Sequence, residues 1–364
     1  METVRAGIIG SGFIADVHAE ALAQAPGCEV VAVAAPNLHR VVDFAKRHDI
    51  PRALTNYRDL LKIEELDVVS LAIPNDLHAE MAIAAAEAGK HVICEKPLAT
   101  TLNDADSMIS ACDEAGVQLM YAEPLCFAPK YARARELAQS GALGEIFLIK
   151  QSEEHSGPHS PWFWNIDRAG GGALMDMGVH GIVFAKWLLG DAAITHVTAS
   201  MGTFVHGGKT EGEDHAVTIL NFDGGQMAVI ESSWAKGGGV DDRLEIYGTK
   251  GHTRADLVLG NALPTWSSVG YADSAEKAGS TKGWSYPGFD DLWNGGYLQE
   301  MRYFVDCIRS DEPAWLDGRV GRSALEAIYA AYRSAGIGAT VRLPFRVPQG
   351  TKRPIDLWIG AGAS

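Results

Sequence analysis

Asp176 and His180 stand four residues apart. That separation places both side chains on one face if the segment is helical. An imidazole with an ordinary pKa of about 6.5 suits the removal of a proton from a hydroxyl. A carboxylate beside it can orient a bound hydroxyl or raise the basicity of the ring. Lys96 lies just beyond a strand-like run and directly before Pro97, which cannot extend a strand and restricts Glu95-Lys96 before it. An ammonium at the carboxyl edge of a parallel sheet can hold a reacting oxygen and stabilise negative charge that develops on it.

A third group is Gly10-Ser11-Gly12-Phe13-Ile14-Ala15. In this G-x-G-x-x-A pattern the first glycine permits a tight turn, and the second lets backbone approach a pyrophosphate. The small last residue lets a helix pack on a strand, and the helix start offers N–H groups to phosphate. Such patterns place a carboxylate about 20 residues on, for the adenosine ribose. Here the corresponding stretch is Ala34-Ala35-Pro36-Asn37-Leu38-His39-Arg40, without a carboxylate. Asn37 can bond the ribose and Arg40 can meet a 2′-phosphate. NAD is the expected cofactor, with NADP as the alternative.

The elements that must position these groups are legible from periodicity. Strand-like runs at Val4–Ile9, Val30–Ala35, Asp67–Ile73 and His91–Cys94 alternate with helical patterns at His18–Ala25, Val41–His48, Leu77–Ala88 and Asn103–Ala115, the last with Thr101 or Asn103 as a possible cap. The alternation predicts a doubly wound parallel sheet over residues 1–122. After a helical stretch at Tyr131–Ser140, longer alternating runs follow at Glu145–Ser152, Ile194–Thr203, His215–Phe222, Gln226–Trp234 and Arg243–Tyr247. Asp223-Gly224-Gly225 reads as a hairpin turn. Tyr297–Ile308 and Arg322–Ser334 are helical in pattern. Residues 123–345 thus read as an α+β domain with a large, mostly antiparallel open sheet, one face of which can meet another subunit. Residues 346–364 read as an extended arm.

Composition excludes other classes. The formal charge of −15 argues against a nucleic-acid partner. The five cysteines, Cys28, Cys94, Cys112, Cys126 and Cys307, form no C-x-x-C pair, so neither a disulfide framework nor a zinc site is expected. His155 and His159 have metal-ligand spacing, but Gly157-Pro158 interrupts the helix it requires, and no metal is expected. No signal-peptide pattern and no run of about 18 apolar residues is present, so a cytoplasmic enzyme without a membrane partner is expected.

Several motifs together resemble the Gfo/Idh/MocA oxidoreductase family. They are Leu71-Ala72-Ile73-Pro74-Asn75-Asp76-Leu77-His78, Ala88-Gly89-Lys90-His91-Val92, Glu95-Lys96-Pro97, and Gly170-Gly171-Gly172 running through Ala173-Leu174-Met175-Asp176-Met177-Gly178-Val179 to His180. A closing stretch at 324–335 is similar as well. The resemblance implies a Rossmann domain followed by an α+β domain, and NAD(P)-dependent hydride transfer at a ring hydroxyl or ketone of a sugar, cyclitol or glycoside. It implies that Lys96, Asp176 and His180 face the substrate, and that copies assemble as dimers or tetramers through the second domain's sheet. The cofactor set on this basis is Gly10, Gly12, Phe13, Ile14, Asn37, Arg40, Ala72, Pro74, Asn75, His78, Glu95 and Lys96.

Many members carry Asn-x-Arg-Phe-x-Pro where this chain has Pro124-Leu125-Cys126-Phe127-Ala128-Pro129. Tyr121 and Glu123, just before it, could take over substrate contacts. Weaker substrate candidates are His155, Trp162 and Trp164, near Glu153, Glu154 and His159, because aromatic faces pack on sugar C–H surfaces. Two further functions fit the same motifs. One is an NAD-dependent glycosidase that oxidises a ring carbon transiently, at C3, and returns the hydride after elimination and water addition. The other is a nucleotide-responsive regulatory subunit without catalysis.

Overall fold

A computed structural model describes residues 3–260, 262–271, 277, 279–287 and 290–360. The chain divides into two compact units, Met1–Pro124 with Gly296–Ser323, and Leu125–Gly295 with Ala324–Ser364.

In the first unit the strands β1 (Val4–Ile9), β2 (Cys28–Ala34), β3 (Arg52–Leu54), β4 (Val68–Leu71), β5 (His91–Glu95) and β6 (Leu119–Ala122) form one sheet in the order β3-β2-β1-β4-β5-β6. Every neighbouring pair is parallel. All four side chains of β4 are buried, as a strand covered on both faces requires. Thr101 caps the helix Leu102–Ala115 by accepting the Asp104 N–H at 3.0 Å, and Gly116 ends it in the left-handed region. The helix expected over His18–Ala25 starts earlier, at Phe13. Phe13 is half exposed, so the opening turn lacks the inward apolar signal that marks the rest. The helix Tyr297–Ser310 packs against Phe13–Ala23 and completes this unit, although most of the second unit's strands precede it in sequence.

The second unit holds β7 (Ile146–Glu154), β8 (Ile194–Gly202), β9 (His215–Phe222), β10 (Met227–Ser233), β11 (Asp241–Gly248), β12 (Gly251–Asp256), the separate pair β13 (Thr265–Ser267) and β14 (Gly283–Ser285), and β15 (Val341–Arg342). The large sheet has the order β12-β11-β7-β10-β9-β8-β15. β7 and β10 run parallel; the other neighbours are antiparallel. Asp223-Gly224-Gly225 joins β9 to β10 as a hairpin, with Gly225 at φ 84°. Ala216, Thr218, Leu220 and Phe222 of β9 are buried while the residues between them are not, the period-two signature of a half-covered sheet.

A single π turn, Leu174–Gly178, runs into the helix Val179–Leu189 on the covered face. Side chains at Gly178 and Gly181 would meet Ser232 Oγ at 2.9 Å and Gln151 Oε1 at 2.5 Å, so glycine sets how closely the helix lies on the sheet. The stretch Ile166–Leu189 is long and apolar enough to cross a membrane, yet 83% of its most apolar window is buried as core. The tail is not wholly an extended arm. It contains the helical turn Asp356–Ile359, with Ile355 and Leu357 buried and Arg353 paired to Asp356 and Asp167; one turn is too short to leave a period in the sequence. Residues 361–364 of that arm lie outside the described residues.

Candidate active site

The glycine turn sits where the ends of β1 and β4 adjoin, the switch point of the parallel sheet. Gly10 has φ 126°, and a Cβ there would lie 2.1 Å from the Ala72 carbonyl oxygen. Only glycine fits. At Gly12, by contrast, a Cβ would meet nothing within 4 Å. The helix Phe13–Ala23 that follows has no side-chain cap. An open approach and uncapped first-turn N–H groups fit the pyrophosphate of a dinucleotide. Phe13 is exposed, Ile14 and Pro74 are half-buried, and Ala72 and Asn75 are buried. Asn37 is exposed and caps Leu38–Arg47 by accepting the Arg40 N–H at 3.0 Å.

The loop that carries Lys96 is fixed from inside. Glu95 is buried, lies 2.8 Å from His18 Nε2, and accepts the Lys96 N–H at 3.1 Å. His18 Nδ1 lies 2.6 Å from Ser70 Oγ. The fully buried His78 ring places Nδ1 3.0 Å from the Pro97 carbonyl and Nε2 3.0 Å from the Ile73 carbonyl. Burial pushes its pKa down, against the opposing pull of these carbonyls and Glu95. His78, expected at the cofactor, is instead an interior clasp between the loops after β4 and β5. Lys96 itself is half-buried.

Tyr121, in β6, and Glu123, just after it, both have zero exposure. The Glu123 N–H donates to Glu300 Oε1 at 2.5 Å. Burial, and then the neighbouring Glu95 and Glu123, push the Glu300 carboxyl well above the usual range.

In the second unit Asp176 lies in the π turn and His180 in the first turn of the helix after it. Both are nearly buried. The indole N–H of Trp234 donates to Asp176 Oδ2 at 3.0 Å, from a fully buried cluster that includes Ala173 and Met177. His180 Nε2 lies 3.8 Å from Glu153 Oε2. Trp234 directly follows β10 and Glu153 lies at the end of β7. The two residues therefore address the carboxyl ends of the parallel strand pair. Asp242 of β11 adds a buried carboxyl that bonds the Tyr131 hydroxyl. Burial pushes it up to about 6, against the opposing pull of Tyr131 and His180.

His155 is buried just after β7, its ring edge-on to His159 at 5.0 Å. Trp162 stacks on Phe163 at 3.8 Å, and Trp164 meets Trp234 edge-on at 5.3 Å with the Lys209 ammonium 5.2 Å from its ring centre. A cavity of about 360 Å³ beside Trp164 is also lined by Asn165, Lys209, Thr210 and Arg353. Among the described residues, Glu154, His215 and Glu231 bring potential ligand atoms within 4.8 Å of one another. Lys236 already places its ammonium 3.4 Å from Glu154 there. Trp234, Asp242 and Tyr131 carried no sequence signal, because each finds its partner across a long stretch of chain.

Residues 4–123 match the family model described as "Oxidoreductase family, NAD-binding Rossmann fold", and residues 131–254 match the "GFO/IDH/MocA C-terminal domain". The chain is 31% identical to the uncharacterized oxidoreductase YrbE of Bacillus subtilis, over 93% of this chain and 96% of that protein. It is 28% identical to a myo-inositol 2-dehydrogenase of Thermotoga maritima, over 93% and 98%. Among solved structures it is similar to GenD2 from gentamicin A biosynthesis in complex with NAD, with TM-score 0.89, 30% identity and coverage of 95% and 97%. Levoglucosan dehydrogenase in complex with NADH and levoglucosan is similar at TM-score 0.79 and 25% identity, over 94% of this chain and all of that one.

Proposed function

Since the chain belongs to the Gfo/Idh/MocA family of NAD(P)-dependent oxidoreductases, we propose that it transfers hydride at a ring hydroxyl or ketone of a sugar or cyclitol, with Lys96, Asp176 and His180 as the catalytic residues. The observation that carries this is the placement of His180 Nε2 3.8 Å from Glu153 in a nearly buried setting. A base needs its protonated form compensated, and Glu153 supplies that charge.

Gly10, Gly12, Phe13 and Ile14 would hold the dinucleotide phosphates, Asn37 would bond the adenosine ribose, and Arg40 would meet a 2′-phosphate. Bound there, the nicotinamide supplies the hydride acceptor or donor. His180 takes the hydroxyl proton at Nε2, or returns it in the reverse direction. Asp176, held by Trp234, orients the substrate hydroxyl. Lys96 binds the reacting oxygen and stabilises negative charge on it. Near burial of Asp176 and His180 strengthens these interactions by excluding water.

The test follows nicotinamide absorbance and product formation together, with NAD and NADP, over a panel of sugars, cyclitols and chromogenic glycosides. Reduced cofactor in step with an oxidised, otherwise intact ring is expected. His180→Ala is expected to lower turnover by roughly 10²–10⁴-fold. Release of aglycone without net reduced cofactor, or full turnover in the alanine variant, would overturn the assignment.

The uncovered face of the large sheet presents Ile219 and Met227, both exposed. We propose that a second copy covers this face in a homodimer or homotetramer; a monomer in sedimentation at micromolar concentration contradicts it. All five cysteines are free thiols, which supports a reducing, cytoplasmic setting.

A further inference from the structure

We propose that Glu213 is a positioning residue for the reaction, a carboxylate that closes the open end of the helical stretch bearing Asp176 and His180; this rests on the assignment of those two residues above.

A helix leaves its first N–H groups without partners, and the stretch Leu174–Leu189 begins with no side-chain cap of its own. Glu213, just before β9, supplies what the stretch lacks. Its Oε1 accepts the Leu174 N–H at 2.9 Å, and its Oε2 accepts the Gly172 N–H at 3.2 Å. Its own carbonyl oxygen accepts the Ala173 N–H at 3.0 Å. Three consecutive N–H groups therefore end on one residue. Above about pH 7, where the carboxyl is ionised, its negative charge also complements the helix dipole.

The carboxylate is held in turn. The Tyr332 hydroxyl donates to Glu213 Oε1 at 2.8 Å and accepts from Gly172 N–H at 3.1 Å. Glu213 and Tyr332 are both fully buried. The glycines preceding the π turn are explained by this contact. A Cβ on Gly172 would lie 1.9 Å from the Glu213 carbonyl oxygen, and one on Gly171 would lie 2.0 Å from the Tyr332 hydroxyl. The next link is direct, because the Asp176 N–H donates to the Gly172 carbonyl at 3.1 Å. Asp176 is thus one hydrogen bond from the clamped turn, and His180 is one helical turn further on.

Glu213→Gln keeps the shape but offers one acceptor where the chain presents two N–H groups, and it turns an amide N–H toward one of them. Displacement of a reacting group by about 1 Å can cost on the order of 100-fold in rate. In the full-length enzyme with NAD and its best sugar substrate, Glu213→Gln is expected to lower kcat by at least about 10-fold, with NAD Kd changed less than about 2-fold. Combined with His180→Ala, it is expected to lower the residual kcat by less than about 2-fold, because the base it positions is gone.

Tyr332→Phe removes one hydroxyl while keeping the ring, and serves if the glutamine variant fails to fold. It is expected to lower kcat by about 3-fold or more with the same loss of effect in the His180→Ala background. Wild-type kcat in either folded variant, or an equal fold-loss with and without His180, would overturn the proposal. Unchanged turnover in His180→Ala alone would instead overturn the catalytic assignment on which it rests.

Discussion

The imidazole of His180 and the carboxylate of Glu153 approach to 3.8 Å, from a helix and from the end of strand β7. The separation exceeds a direct hydrogen bond but is close enough for strong charge coupling where both side chains are largely withdrawn from water. Removal of the charge by Glu153→Gln should make the protonated ring less favourable. The acid limb of the kcat profile is expected to move to lower pH, and the kcat plateau above it to fall by no more than about 10-fold, because a less basic imidazole takes the proton less readily. A profile superimposable on wild type would show that Glu153 does not tune His180.

Gly10 and Gly12 are expected to separate folding from cofactor binding. Gly10→Ala places a methyl group 2.1 Å from the Ala72 carbonyl at a φ of 126°, so a loss of about 3 kcal/mol of stability is expected, read as a lowered Tm. Gly12→Ala enters open space, so Tm should hold while NAD affinity falls. Equal Tm values for the two variants would contradict this account of the turn.

Asn37 offers a test of cofactor choice. Aspartate caps a helix as well as asparagine does, so Asn37→Asp should leave the Leu38–Arg47 helix intact. The added charge favours ribose hydroxyls and repels a 2′-phosphate. The preference for NAD over NADP in kcat/KM is expected to rise about 10-fold, which corresponds to about 1.4 kcal/mol. An unchanged ratio would mean that the adenosine ribose binds elsewhere.

Glu213 makes stability depend on pH. Burial pushes its carboxyl from 4.5 up to about 7, despite bonds from Leu174, Tyr332 and Gly172 that pull the other way. Between these values the folded chain holds a proton that the unfolded chain has released, so stability falls as pH rises through this window. The full span is at most about 3 kcal/mol. Chemical denaturation at several pH values is expected to show a flatter dependence in Glu213→Gln than in wild type across pH 4.5 to 7. Parallel slopes would count against the assignment.

Much of this organisation is legible in the sequence where interactions are local. Gly10-x-Gly12, the Thr101 cap three residues before the N–H it accepts, and the Asp223-Gly224-Gly225 turn all act within a few residues, so spacing encodes them. Interactions that join distant segments are not encoded this way. Trp234 meets Asp176 across 58 positions, Tyr332 meets Glu213 across 119, and Glu123 meets Glu300 across 177. A buried tryptophan or tyrosine reads as ordinary core, and a buried glutamate reads as a surface charge, until the fold supplies the partner. Tyr121 stands beside a substrate-binding motif in the sequence, and only the fold shows that β6 buries it fully.

The late arrival of the helix Tyr297–Ser310 has a consequence for biosynthesis. The first 124 residues contain every strand of the parallel sheet, but the helix that covers Phe13–Ala23 lies 173 residues further along the chain. At about 5–20 residues per second, a ribosome needs roughly 10–35 seconds to supply it. During that interval the nascent nucleotide-binding portion carries an unshielded apolar helix face, an opportunity for chaperone engagement. The same gap means that a gene fragment ending near codon 124 would encode an aggregation-prone product rather than a portable module.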